Sequence, residues 1–197
     1  MLQYLVIVGG LANLAGIFPY IRGTLRGTTK PNRITWFMWS IAPLIATSAA
    51  LADGVTWAAI PIFVSGFGPL LVFIFSFANK NSYWKLELFD WVCGGFSILA
   101  LIFWWITKDP LVAIVFAILS DGSAALPTLI KSWKYPETEN VYPYATGIIS
   151  ALTAFFAIKI WILPQYIFPV YLVFINALLS FSVLRKRLFK TAEKIEM

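Results

Sequence analysis

The chain has 197 residues, of which 60% are hydrophobic, 17% aromatic and 12% charged, with a formal net charge of +6. A soluble domain is about half apolar and a quarter charged, so this composition excludes an ordinary water-soluble enzyme or binding module and points to a bilayer. The sequence holds no histidine and one cysteine, Cys93; that excludes an intramolecular disulfide and a thiolate metal site, and removes the usual proton shuttle.

Uncharged runs occupy 1–21, 34–52, 54–79, 91–107, 140–158 and 160–184, and a further run at 110–130 is interrupted only by Asp121. Each is close to the roughly 20 residues a helix needs to cross a hydrocarbon core. Lipid offers backbone groups no partner but each other, so seven transmembrane helices are predicted. Alternating strand segments of a membrane β-barrel are absent from the pattern.

The first run carries Asn13 and Pro19 and lacks a basic leader, so it reads as a retained helix and not a cleaved signal peptide. A basic loop follows, with Arg22, Arg26, Lys30 and Arg33. Asn32 is placed to cap the second helix, as Asn140 is for the sixth. Trp36 and Tyr144 fall in the first turns of those helices and read as interfacial belt residues. Trp39, a turn deeper, could stack on a solute ring. Ala42, Ala46, Ala49, Gly66 and Gly68 give the second and third helices surfaces for close packing. The fourth helix, about 85–107, starts near Asp90, which is expected to reach water. The fifth begins at Pro110 and carries Asp121 and Pro127. The seventh carries Asn176 and, one turn on, Ser180. The tail at 189–197 is polar and expected to fray.

The chain nearly repeats itself at an offset of 108 residues: Pro19 with Pro127, Asn32 with Asn140, Pro61 with Pro169, Asn13 with Asp121, Trp36 with Tyr144. Proline and asparagine cost free energy inside apolar helices, so their recurrence carries more weight than matched leucines. The predicted fold class is an all-α membrane protein. It comprises a three-helix repeat at 1–80, a linker helix at 81–109, a second three-helix repeat at 110–188 and a cytoplasmic tail at 189–197. The unmatched fourth helix makes the repeats parallel, related by an axis along the membrane normal. One face then holds 13 of the 15 basic residues, the other only Lys108 and Lys159. The basic-inside bias predicts an integral protein, in a bacterial-type layout the plasma (inner) membrane, with N-terminus outside and C-terminus cytoplasmic. The positive charge is expected to meet anionic headgroups and not nucleic acid.

Asp121 lies 11 residues after Pro110, about 17 Å into the helix and so near the bilayer centre. A carboxyl there normally faces a cavity or a partner, and is a candidate proton carrier. The plainer alternative is a neutral carboxyl bonded to Asn13 or a serine. Asn13, Asn176 and Ser180 are candidate solute ligands with Trp39 and Asp121, against the alternative of helix–helix hydrogen bonding. Gly68 and Val72 stand where Asn176 and Ser180 stand in the second repeat, which makes any pocket chemically lopsided. Pro19 and Pro127 are candidate hinges near the cytoplasmic ends of the first and fifth helices, or fixed kinks that shape the bundle.

With Phe18-Pro19-Tyr20-Ile21 before a basic loop, Asn32 and the Trp36/Trp39 helix, and Leu126-Pro127-Thr128-Leu129-Ile130 before Lys131-Ser132-Trp133-Lys134, residues 5–188 resemble the PQ-loop superfamily of SWEET-like transporters. The glutamine that follows the proline in that family is replaced by Tyr20 and Thr128. The resemblance implies a three-one-three plan and alternating access. It also implies a solute site to which Asn176 would contribute as the family's seventh-helix asparagine does, while Gly68 stands at the third-helix position. Asp121, six residues before Pro127, approximates the proton-carrying aspartate of amino-acid members.

The function expected is therefore transport of a small polar organic solute (sugar, amino acid or vitamin precursor), with Asp121 coupling protons. The alternative is a binding or sorting receptor of the KDEL-receptor kind, which would want basic residues inside the bundle. An intramembrane enzyme is not expected, because no nucleophile–base constellation or close carboxylate pair is present. The partners expected are a small-molecule solute, the lipid bilayer and at most a further copy of the chain in a homo-oligomer; no cofactor, metal or nucleic acid is called for.

Overall fold

The computed structural model describes residues 5–52, 59–82, 84–107, 110–158 and 160–195. Lys108 and Lys159 lie outside the described residues, as do the side chains of Ala46, Ala49, Pro61, Arg187, Lys190 and Lys194. Among the described residues the chain is all helical: α1 Leu5–Arg26, α2 Arg33–Ala52, α3 Ala59–Phe75, α4 Leu88–Ile106, α5 Pro110–Lys134, α6 Tyr142–Ala154 and α7 Leu163–Ile195. Short 3-10 turns lie at Lys80–Ser82, Pro136–Thr138 and Phe155–Ala157.

Local chemistry sets several of these ends. Gly27 (φ +80°) stops α1: its N–H bonds to Thr24 O at 3.1 Å, and the N–H of Thr28 bonds to Gly23 O at 3.0 Å. That pair of bonds is a Schellman motif, whose left-handed residue favours glycine. Asn32 Oδ1 accepts from the N–H groups of Ile34 and Thr35 at 3.1 and 3.3 Å and so caps α2. Asn140 does less. The cap position of α6 is Val141, and Asn140 Oδ1 accepts from Tyr142 N at 3.1 Å, one residue early. The start of α4 is fixed by a capping box of Glu87 and Asp90. α7 is helical to Ile195.

By length and composition, Leu5–Arg26, Ile114–Lys134 and Gln165–Lys186 can each cross a membrane; Phe63–Phe75 and Leu88–Phe103 are shorter apolar helices. The 13 residues of α6 rise only about 20 Å, against a hydrocarbon core of about 30 Å.

Small residues decide which helices touch. α1 lies against α6, and a Cβ on Gly9 or Gly16 would collide with Thr153 or Thr146. α2 lies against α3 where Gly66 meets Ser40 and Leu44. α4 and α5 are joined by reciprocal bonds, Ser97 Oγ to Ser120 O at 2.7 Å and Ser120 Oγ to Ser97 O at 3.0 Å. α1 also packs on α3, α5 on α7, α6 on α7, and α2 on α5. The centre of the bundle is aromatic, with Tyr20, Trp36, Tyr144 and Leu179 buried together. Many large apolar side chains point outward instead; Leu88, Trp105, Phe18 and Trp161 are all more than half exposed.

Candidate functional site

A cavity of about 620 Å³ occupies the middle of the bundle. It is lined by α1 from Val6 to Ile17, α2 from Trp36 to Pro43, the α5 stretch Ile114 to Asp121, and residues of α3, α4, α6 and α7. Asn13, Trp39, Asp121 and Asn176 all line it, so four side chains on four helices share one space. Ser180 does not. Its Oγ is buried and without a hydrogen-bond partner among the described residues. The reason is that the cavity ends at the level of Leu179, where Tyr20, Trp36 and Tyr144 fill the bundle.

Asp121 is the charged residue of this lining. Tyr171 Oη donates to its Oδ2 at 2.7 Å. The Trp39 indole N–H donates to the Asp121 backbone carbonyl at 3.4 Å. Asn176 Nδ2 donates to Leu172 O at 2.9 Å, one turn back in its own helix. Its Oδ1 sits where a Cβ on Gly147 would lie, so the glycine lets α6 come close to the asparagine. Tyr171 was not singled out from the sequence. A tyrosine within an apolar run reads as packing, and only the α5–α7 contact turns its hydroxyl onto Asp121.

One end of the cavity is sealed. Lys131 Nζ lies 2.5 Å from Glu139 Oε1, with both side chains withdrawn from solvent. Tyr20 Oη donates to Glu139 Oε1 at 3.2 Å and Tyr144 Oη to Oε2 at 3.0 Å. Trp36 Nε1 donates to Tyr20 Oη at 3.1 Å. Lys131 Nζ also donates to the Lys30 carbonyl, which ties the α1–α2 loop to the end of α5. Each acceptor oxygen of the buried carboxylate is thus satisfied, as a buried charge requires.

This network corrects several expectations. Trp36 and Tyr144 are not interfacial belt residues; they are 2% and 1% exposed, held inside by their polar tips. Lys131 does not belong to a solvated basic loop but is buried in the last turn of α5. Asp90 does not reach water. It is buried, accepts from Asn32 Nδ2 at 2.7 Å and from Glu87 N at 2.6 Å, and so links α2 to α4. The available signal was weak: Lys131 and Glu139 are opposite charges flanking Pro136, a pattern that solvated loops share.

Pro19 and Pro127 each stand seven residues before the last residue of their helix, and each helix continues through its proline. The Pro19 carbonyl accepts from Asn140 Nδ2 at 3.3 Å. Among the described residues no group of three or more histidine, cysteine or acidic side chains is placed to hold a metal. Compared with family models, with curated proteins and with solved structures, the chain gives no match.

Proposed function

We propose that the chain is a seven-helix membrane transporter that moves a small polar organic solute by alternating access, with a SWEET-like three-one-three plan. The observation that carries this reading is a solute-sized cavity at the bundle centre, mostly apolar with Asn13, Asp121 and Asn176 set in its wall, and plugged at one end by buried groups. Its volume of about 620 Å³ falls within the range of small-molecule sites.

The distribution of side chains supports a bilayer. Asp90, Lys131, Asn32 and Thr35 are buried, whereas α4 turns Leu88, Trp91, Phe96 and Trp105 outward. Water would penalise such a surface, and lipid favours it. The packing supports a duplication. The α1–α3, α2–α3 and α1–α6 contacts have the counterparts α5–α7, α6–α7 and α5–α2. A rotation that carries the first unit onto the second interchanges these pairs. α4 packs on α5 and α2 and has no counterpart. Asn13 and Asp121, equivalent by the repeat, both face the cavity, where transporters of this construction hold their solute.

In this reading the Lys131–Glu139–Tyr20–Tyr144 cluster is the closed gate, on the face that carries the basic loops and is cytoplasmic. Pro19 and Pro127 lie at that gate and supply the bends by which it opens. Asp121 carries the coupling proton or meets the solute's charge. The receptor alternative draws no support from the lining, which among the described residues contains no lysine or arginine.

The test is uptake by purified protein in proteoliposomes, against a panel of sugars, amino acids and vitamins. Saturable counterflow of at least one solute is expected. Binding without uptake across the whole panel would replace the transporter with a receptor.

A further inference from the structure

On the reading that the cavity carries a solute, we propose that the solute is a small organic monocation, such as a quaternary ammonium or a flat heteroaromatic cation, held by Asp121 and the face of Trp39.

Among the described residues Asp121 is the one charged residue of the lining. The nearest lysine by way of the aromatic plug, Lys131, is taken up by Glu139 and the Lys30 carbonyl. The other polar lining side chains, among them Asn13, Ser150 and Asn176, are neutral. An anionic solute would meet the carboxylate with nothing to offset the repulsion. A zwitterion would gain at its ammonium end and leave its own carboxylate without a cationic partner. A neutral solute would be accepted by the asparagines but would leave the Asp121 charge without a counter-charge. A monocation satisfies the lining as it stands.

The rings point the same way. Trp39 stands edge-on to Trp36, at 5.3 Å between centroids and 85° between planes, and edge-on to Tyr144 at 6.4 Å and 76°. Trp36 and Tyr144 are stacked at 25°. Trp39 thus stands across two near-parallel rings, and aromatic faces are what quaternary ammonium groups seek. Trp36 and Tyr144 are almost wholly buried, so Trp39 is the ring that offers surface to a ligand. Trp39 and Asp121 line the same cavity, so a cation bound there has both an aromatic ring and a carboxylate in its walls. Tyr171 acts as a positioning residue: its bond to Oδ2 fixes the direction in which the carboxylate is presented.

The experiment compares charge at constant shape. Purified full-length protein in detergent is titrated with choline and with its neutral isostere, in which the quaternary nitrogen is replaced by carbon. Tetramethylammonium and N-methylpyridinium extend the cation set, and benzoate is the anion. At least one cation should raise the melting temperature and bind about ten-fold tighter than the neutral isostere, and benzoate should not bind. Asp121→Asn should abolish the preference for charge; Trp39→Leu should weaken all cations alike. Equal binding of choline and its isostere, or binding of no cation in the set, overturns the proposal without recourse to any variant. Proteoliposome uptake separates the two levels. A neutral sugar taken up and not competed by cations refutes the monocation and leaves transport standing, whereas uptake of neither class removes the transport reading itself.

Discussion

Lys131 and Glu139 form an ion pair at 2.5 Å that is cut off from solvent on both sides, eight residues apart in sequence and joined across the Pro136–Thr138 turn. A buried pair is no strong source of stability by itself, because desolvation of both charges offsets their attraction. It is, however, costly to break. The pair gathers Tyr20, Tyr144 and the Lys30 carbonyl around it, so α1, α5, α6 and the α1–α2 loop meet at one point. In the proposed transporter a gate built this way would have two well-separated states, since half-opening would leave charges unpaired.

Glu139→Gln should therefore destabilise the fold by about 3–5 kcal/mol, the usual cost of an uncompensated buried charge. The double variant Glu139→Gln with Lys131→Met should recover much of that loss. Thermal unfolding in detergent reads both. A single-variant cost below about 1 kcal/mol, the level of an exposed pair, would show that the pair is hydrated and seals nothing.

Asp121→Asn should keep the fold and lose pH-dependent uptake, because it preserves size and hydrogen bonding but cannot titrate. Tyr171→Phe removes only the bond to Oδ2; it should weaken solute binding about ten-fold and retain the pH dependence. The measurement is proteoliposome uptake across pH for both variants. Unchanged pH dependence in Asp121→Asn would reduce Asp121 to a binding or structural residue.

Two glycines give a paired test of the packing. A Cβ on Gly16 meets Thr146 side-chain atoms too closely, whereas one on Gly95, in α4, meets nothing within 4 Å. Gly16→Ala should cost about 1–3 kcal/mol through forced separation of α1 and α6. Gly95→Ala should be neutral or stabilising by up to about 1 kcal/mol, from helix propensity alone. Melting temperatures that move together would contradict the α1–α6 contact.

Orientation is open to labelling. Cys93 is buried, so the native background is quiet. Thr28 and Ile160 lie exposed at opposite ends of the bundle. In intact cells a membrane-impermeant thiol reagent should label Ile160→Cys and spare Thr28→Cys. The reverse pattern would invert the topology.

How much of this was legible in the sequence depends on the range of the interaction. Uncharged runs set the helices, because an apolar segment must satisfy its own backbone. Gly27 and Asn32 set helix ends through bonds to residues at most five positions away. The 108-residue spacing marked Asn13 and Asp121 as counterparts, and both line the cavity. Where those side chains pointed, and what met them, was another matter. Tyr171 bonds Asp121 across 50 positions, Tyr20 bonds Glu139 across 119, and Asn140 bonds the Pro19 carbonyl across 121.

The sequence by itself thus determined an all-helical chain with polar side chains set at fixed depths in apolar helices. Only the tertiary structure decided that Lys131 is buried, that Trp36 and Tyr144 face inward, and that Ser180 lies off the cavity while Asn176 lines it. The physical reason is that helical periodicity fixes which residues share a face, but not which faces meet. That choice is made where helices approach most closely, at contacts such as Gly16 with Thr146 and Gly147 with Asn176. Those contacts rest on the fit of surfaces more than 25 residues apart in the chain, which no local pattern encodes.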